Sequence, residues 1–248
     1  MATAHKALTA RERARIEFTG DIKRVAREQL AESGPAGLSL RAVARELGLA
    51  SASALYRYFP GRDALLTALI LDGYTALGDA AEAADTASAA EDPSDVLARW
   101  VGVAHAVRDW AVAHPHEYTL IYGSPVPGYA APQDTVAQAT RVPYLIGALF
   151  GELAAGGGHR PGSTLPPTPA DAERALRPLL DRLPPDTPPD LVMSSLMAWT
   201  YLFGAVSFEL FGHRSGIVDD PRAFFDHETR RIGTMLGLSD GRPAAAGH

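Results

Sequence analysis

The sequence predicts an all-α protein, and three observations lead there. Apolar residues recur at i, i+3, i+4 and i+7 through most of the chain, the spacing that lines one face of a helix. No stretch sustains the strict apolar–polar alternation that a half-buried strand requires. Gly and Pro cluster between the periodic segments, where one helix has to end and another begin.

A first helix is expected over about 11–33, with Phe18, Ile22, Val25 and Leu30 on one stripe, closed by Gly34-Pro35 and Gly37. Ser39 is placed to cap a second helix that carries Leu40, Val43, Ala44 and Leu47 on one face and stops at Gly48. A third, short helix runs from about 51 to 59 and is ended by Pro60-Gly61. A fourth starts near Arg62, its apolar face made by Leu65, Leu66, Leu69, Ile70 and Leu77, and the alanine-rich stretch 80–90 continues or frays it. Helices are then expected over 92–114, from Pro115 through Tyr118, Leu120 and Ile121, and over 133–153 with a kink at Pro143. The last three are placed at 170–183, 190–211 and 221–238. The Gly- and Pro-rich segment 123–132 reads as a loop, 156–169 as the longest stretch without regular structure, and the residues after Ser239 as a disordered tail.

With 46% hydrophobic and 21% charged residues, the composition is that of a globular chain and not of a disordered one. Its 248 residues suffice for one small and one medium-sized core, and the expected division is 1–65, 66–240 and a tail at 241–248. No apolar run approaches the length of a membrane span, and residues 1–17 lead into no apolar signal region, so a cytoplasmic location is expected. The absence of cysteine excludes disulfides, thiolate metal sites and a cysteine nucleophile. There is no G-x-S-x-G elbow, H-E-x-x-H pair or P-loop, and the run 156–158 neither follows a strand nor opens a helix, so it reads as linker. Nothing demands an enzyme, and no cofactor is expected.

The net charge of −6 conceals an asymmetry. Residues 1–65 carry 11 Lys+Arg against 7 Asp+Glu, and the remainder 12 against 22. A basic segment attached to an acidic body suits a protein that presents one end to a polyanion.

Residues 39–47, a glycine turn and residues 51–59 supply the parts of a helix-turn-helix, whose second helix lies in the DNA major groove with its first residues against base edges. Ser51, Ala52 and Ser53 are small enough for close approach, and any of the three can head that second helix. Tyr56, Arg57 and Tyr58 extend the surface; Arg62 opens the next helix and Arg41 the preceding one, both suited to phosphate. Leu55 and Phe59 are expected in the core and Ser39 as a cap. Tyr56 and Tyr58, two apart, point to different faces of a helix.

The stretch LSLRAVARELGLASASALYRYFPGRDALL resembles the signature of the TetR/AcrR family of bacterial repressors. In that signature an Ala-x-x-Leu-Gly helix precedes a Leu-Tyr-x-x-Phe helix and then a basic residue, matched here by Leu55, Tyr56, Phe59 and Arg62. One residue more than the common pattern lies between Gly48 and Leu55. The resemblance implies a three-helix domain that binds operator DNA, with Tyr56 on phosphate, and a larger helical domain that dimerises and binds an effector. It implies a repressor, released when ligand displaces the helix that starts at Arg62. His114-Pro115-His116-Glu117-Tyr118 leading to Tyr122-Gly123, and Trp199 with Phe203-Gly204 and Glu209-Leu210-Phe211-Gly212, resemble a subgroup with a WHG-type C-terminal domain.

The helix 190–211 is apolar nearly all round, so a partner surface is its simplest cover; with 221–238 it would form a four-helix bundle across a two-fold axis. The expected partners are therefore a second copy of the chain, duplex operator DNA and a small hydrophobic or aromatic effector, with no membrane. Trp100, Val103, Trp110, Tyr118, Tyr122, Tyr144, Phe150 and Trp199 are the candidates to line an effector cavity, although each type is more often plain core. His105, His114 and His116 are possible polar anchors. His114 with His116 has the wrong spacing for a metal pair on a helix, and no metal is expected. Two competing readings are an enzyme with an appended helix-turn-helix, for which no catalytic constellation is present, and a protein-docking module, which would lack the steep salt dependence of DNA binding.

Overall fold

The computed structural model describes residues 9–155 and 166–239, without the side chains of 153–155. Among the described residues every regular element is helical and there is no strand. In chain order they are α1 (Ala10–Gly37), α2 (Leu40–Glu46), a 3-10 helix (Ala52–Arg57), α3 (Arg62–Glu91), α4 (Val96–Ala113) and α5 (Pro115–Tyr122). A 3-10 turn (Gln133–Thr135) then runs into α6 (Val136–Ala139), followed by α7 (Arg141–Ala155), α8 (Ala170–Leu180), α9 (Pro189–Leu210) and α10 (Pro221–Met235). Most of the expected stretch 156–169 and the expected tail lie outside the described residues.

The chain forms two compact units: residues up to Tyr74 together with His116–Val136, and Thr75–Pro115 together with the residues from Ala137 onward. In the first, Ile22, Val25, Ala26 and Leu30 of α1, Leu40, Val43 and Ala44 of α2, Leu55 and Phe59, and Leu65, Leu66, Leu69 and Ile70 of α3 share one core. Leu120 of α5 joins that core, with Ile121, Val126 and Tyr129 packed on it. Asp72 of α3 is the ionic clasp, accepting from Lys23 and Arg27 of α1 at 2.7 Å each, while Arg27 also reaches Glu117 of α5 at 3.4 Å.

In the second unit α7 packs on α9 and α4 on α10. Trp100, Ile146, Leu149, Phe150 and Phe225 are fully buried. Trp100 donates its indole N–H to the Thr229 carbonyl at 3.0 Å, so its one polar atom is satisfied in the core. Gly233 is what lets α10 approach: a Cβ there would stand 2.7 Å from the Trp100 ring and 2.8 Å from Leu97. The buried cations are paired, Arg99 with Asp85 at 2.8 Å and Arg108 with Glu209 at 2.8 Å.

The first helix breaks after Ser33 as expected: Gly34, at φ 67°, leaves the helical region, and a separate short turn runs on to Gly37. Two sequence expectations need correction. The helix expected over 133–153 is not one kinked rod. It is interrupted at Thr140, and Pro143 sits in the first turn of α7, where a missing N–H costs no internal hydrogen bond. Finally, α3 and α9 are long and apolar enough to cross a membrane, with mean hydropathies of 1.2 and 1.5 over 18 residues, contrary to the expectation that no run reaches that length. In each, 44% of that window is buried within the protein.

Candidate nucleic-acid interface

The helix-turn-helix is assembled by its own caps. Ser39 opens α2 by accepting from the Ala42 N–H at 3.5 Å, and its backbone N–H donates to the Gln29 side chain at 3.3 Å. At the other end Gly48 takes φ 69°, a left-handed conformation costly for any residue with a Cβ. It thereby lets the Gly48 N–H reach the Arg45 carbonyl and the Leu49 N–H the Ala44 carbonyl, closing the helix end. Ser51 then caps the next element, its hydroxyl accepting from the Ser53 N–H at 3.2 Å. Of the three residues able to head that helix, Ala52 is its first residue and Ser51 its cap.

That second helix is a 3-10 helix, in which residues three apart line up along one edge. Ala52, Leu55 and Tyr58 form the inner edge: Leu55 is fully buried, Ala52 packs partly on the core, and Tyr58 meets Phe18 of α1 edge-on at 5.1 Å. Ser53 and Tyr56 form an outer edge, with Tyr56 49% exposed, and Arg57 is exposed on the third. Tyr56 and Tyr58 are thus separated as their spacing requires. Arg41 is exposed in the first turn of α2. Arg62 is more committed: it donates to the Pro35 carbonyl at 2.8 Å and pairs with Asp63 at 3.2 Å, stapling the end of α1 to the start of α3.

Ser53, Tyr56, Arg57 and Arg41 are therefore each exposed on the helix-turn-helix, with Ser51 exposed at the head of its second helix. Sequence reasoning does not single out Arg45. It lies four residues after Arg41, on the same face, exposed and without an ion-pair partner among the described residues; the spacing alone is the available signal. The set can donate to phosphate oxygens and, from Ser53, to a base edge.

The effector-cavity candidates are divided between the two units. Tyr118 and Tyr122 belong to the first unit, where their rings lie 5.3 Å apart and Tyr122 also meets Tyr74 at 5.9 Å. Burial pushes the Tyr122 hydroxyl pKa upward, and it stays protonated. The others lie in the second unit. Trp100, Val103 and Phe150 are buried core, Trp110 stacks on His114 at 5.2 Å, and Tyr144 is 60% exposed. Two buried nitrogens there, Trp199 Nε1 and His105 Nδ1, have no hydrogen-bond partner among the described residues, while His105 Nε2 lies 3.1 Å from Asp226. The described residues hold no cluster of three or more metal-ligating side chains.

Comparison with known proteins agrees with this geometry. Residues 22–69 match the family "Bacterial regulatory proteins, tetR family", and residues 100–232 match "Tetracyclin repressor-like, C-terminal domain". The HTH-type transcriptional regulator Rv1816 of Mycobacterium tuberculosis is 40% identical over 230 residues, covering 90% of this chain and 94% of that one. A counterpart in Mycobacterium bovis matches to the same extent. Among solved structures, the regulatory protein SCO4313 superposes with a TM-score of 0.71 at 36% identity, covering 90% of this chain and 98% of that one. A Rhodococcus protein of unknown function shares the fold at a TM-score of 0.64 and 23% identity, over 96% of this chain and 100% of that one. The curated relatives are regulators, not enzymes. The chain belongs to the TetR family of DNA-binding transcriptional regulators.

Proposed function

We propose that the chain is a cytoplasmic repressor that binds operator DNA as a homodimer and releases it when a small hydrophobic or aromatic molecule binds the helical unit. The observation that carries the DNA part is the exposure of Ser53 and Tyr56 on the outer edge of the 3-10 helix, with Arg57 on its third edge and Arg41 on α2 exposed as well. Ser51 and Ala52 supply its cap and first turn, Tyr58 holds it against α1, and Arg62 fixes its following turn. Supporting a dimer, Met197, Phe208 and Phe211 of α9 and its end, with Phe224 and Met235 of α10, leave 39–54% of their surface uncovered. Two recognition helices about 34 Å apart would then fit successive major grooves of a palindrome.

Supporting an effector, Trp199 and His105 each hold a buried ring nitrogen with no partner among the described residues, the kind of atom that a mostly apolar ligand with one or two polar atoms satisfies. Because α3 begins at Arg62, just past the end of the 3-10 helix, and carries residues of both units, a displacement of its second half would reach the end of the DNA-binding element. The ligand must favour the released conformation by about 1–3 kcal/mol for this to work. The experiment is fluorescence anisotropy of duplexes from the gene's own upstream region, followed by a competition screen of hydrophobic compounds. Tight, saturable binding relieved by a compound supports the proposal; a compound that binds at saturation and leaves DNA affinity unchanged contradicts the sensing part.

A further inference from the structure

The amino-terminal third of α1 has features that the helix-turn-helix does not use. The matching family model begins at Ile22, yet α1 is already helical at Ala10. Its start is fixed by a complete capping box: Glu12 N–H donates to Thr9 Oγ1 at 3.2 Å, and the Thr9 N–H and hydroxyl donate to the Glu12 carboxylate at 2.7 and 2.8 Å. Those bonds hold the Glu12 carboxyl pKa below its ordinary value. More than two helical turns therefore precede the family's common core as a set structure.

One face of α1 runs Arg11, Arg15, Phe18, Ile22 and Val25, spaced four, three, four and three apart. Ile22 and Val25 are buried and Phe18 packs on Tyr58, but where the stripe continues outward it changes from apolar to cationic. Arg15 and Arg11 are exposed there, about 6 Å apart along the axis at 1.5 Å per residue. The Arg15 guanidinium stands 5.7 Å from the ring of Tyr58, the residue that ends the recognition helix. Of the other cations of this helix, Lys23 and Arg27 pair with Asp72 and Arg24 with Glu28, while Arg13 is exposed on a different face. Among the described residues Arg11 and Arg15 have none, and the acidic Glu12 and Glu17 lie on other faces of the helix.

We propose that this overhang is a second DNA contact: Arg11 and Arg15 of each subunit grip the phosphate backbone flanking the bases read by the 3-10 helix. The contact deepens the DNA-binding reading and rests on it. A guanidinium held over an aromatic ring keeps its remaining N–H groups for phosphate oxygens, and contacts of this kind position the protein without reading sequence.

The test uses the full chain and a duplex of about 40 base pairs from its own upstream region, titrated by anisotropy between 50 and 200 mM NaCl. R11A/R15A is compared with wild type and with R24A, a control that removes an exposed cation on another face of the same helix. Removing one phosphate-binding cation should make the affinity fall about 3.5-fold less steeply across that range, so removing two gives roughly tenfold. The weakening at low salt should be equal on matched and scrambled duplexes. If the alanine pair lowers the melting temperature, R11Q/R15Q removes the charge alone and gives the same reading. Wild type that ignores every duplex overturns the DNA reading itself. Wild type that binds while R11A/R15A keeps its slope, or R24A matching the pair's effect per charge removed, overturns only the overhang.

Discussion

Tyr56 and Leu55 are neighbours with opposite fates: one is half exposed and the other is sealed in the core. The three-residue turn of the helix that carries them sends them to different edges. Y56A should weaken binding to all duplexes similarly, by about 1.5–3 kcal/mol for a lost charge-assisted hydrogen bond to phosphate, with no change in melting temperature. S53A should instead alter the ranking among sequences, because a hydroxyl facing a groove reads a base edge. Anisotropy on a matched and a scrambled duplex separates the two effects. Gly48 makes a different demand. Valine there must adopt φ near 69° at a cost of about 1–2 kcal/mol, so G48V should lower the unfolding midpoint and DNA affinity together.

The carboxylate of Asp226 gives a pH prediction. Arg230 and, more weakly, His105 hold its pKa below the ordinary value, despite some burial acting the other way. A depressed carboxylate pKa contributes stability that is complete above the unfolded value, about 4, and is lost as pH falls through the folded one. D226N should therefore lower the melting temperature at neutral pH and flatten its decline on acidification below about pH 4, as followed by circular dichroism.

Among the helices, those set by strong local chemistry are the legible ones. Ser39, Gly48, Ser51 and Pro60-Gly61 mark the helix-turn-helix from sequence because caps and breakers act over four or five residues. The all-α class is legible for the same reason. What local pattern does not carry is which helix packs where. Leu120 belongs to the core of the DNA-binding unit although about 50 residues of chain separate it from Ile70, and the periodicity of α5 says only that it has an apolar face. Pro143 misleads for a related reason: a proline reads as a kink, and whether it sits inside a helix or opens one depends on where the preceding helix ends. Of the proposed interface, Arg41, Ser53, Tyr56 and Arg57 are legible through the motif, whereas Arg45 and the Arg11–Arg15 pair need the exposed face to be known. Residue type alone suggests the cavity candidates, and it cannot separate a core tryptophan such as Trp100, bonded to Thr229, from Trp199, whose indole nitrogen has no partner among the described residues.

α9 and α10 carry the prediction for assembly. Phe208, 54% exposed, and Phe224, 42% exposed, are large apolar side chains left partly uncovered by the chain itself. Sedimentation equilibrium should give a dimer at micromolar concentration, and F208E/F224E should shift it toward monomer by desolvating charge in an apolar interface. The monomeric variant should keep its helical circular dichroism, since neither side chain contributes to the buried core, and should lose affinity for a two-half-site duplex far more than for a single half-site.

A basic helix-turn-helix on an otherwise acidic chain has one electrostatic signature above others, the dependence of DNA affinity on salt. For the purified chain on a duplex from its own upstream region, log affinity should fall linearly with log salt, with a slope of about −0.9 per phosphate contact. That slope should become shallower when Tyr56 and Arg57 are replaced by alanine. A chain that binds no such duplex even at 50 mM salt, or whose binding is indifferent to salt and to both substitutions, would contradict the assignment of DNA binding to this face.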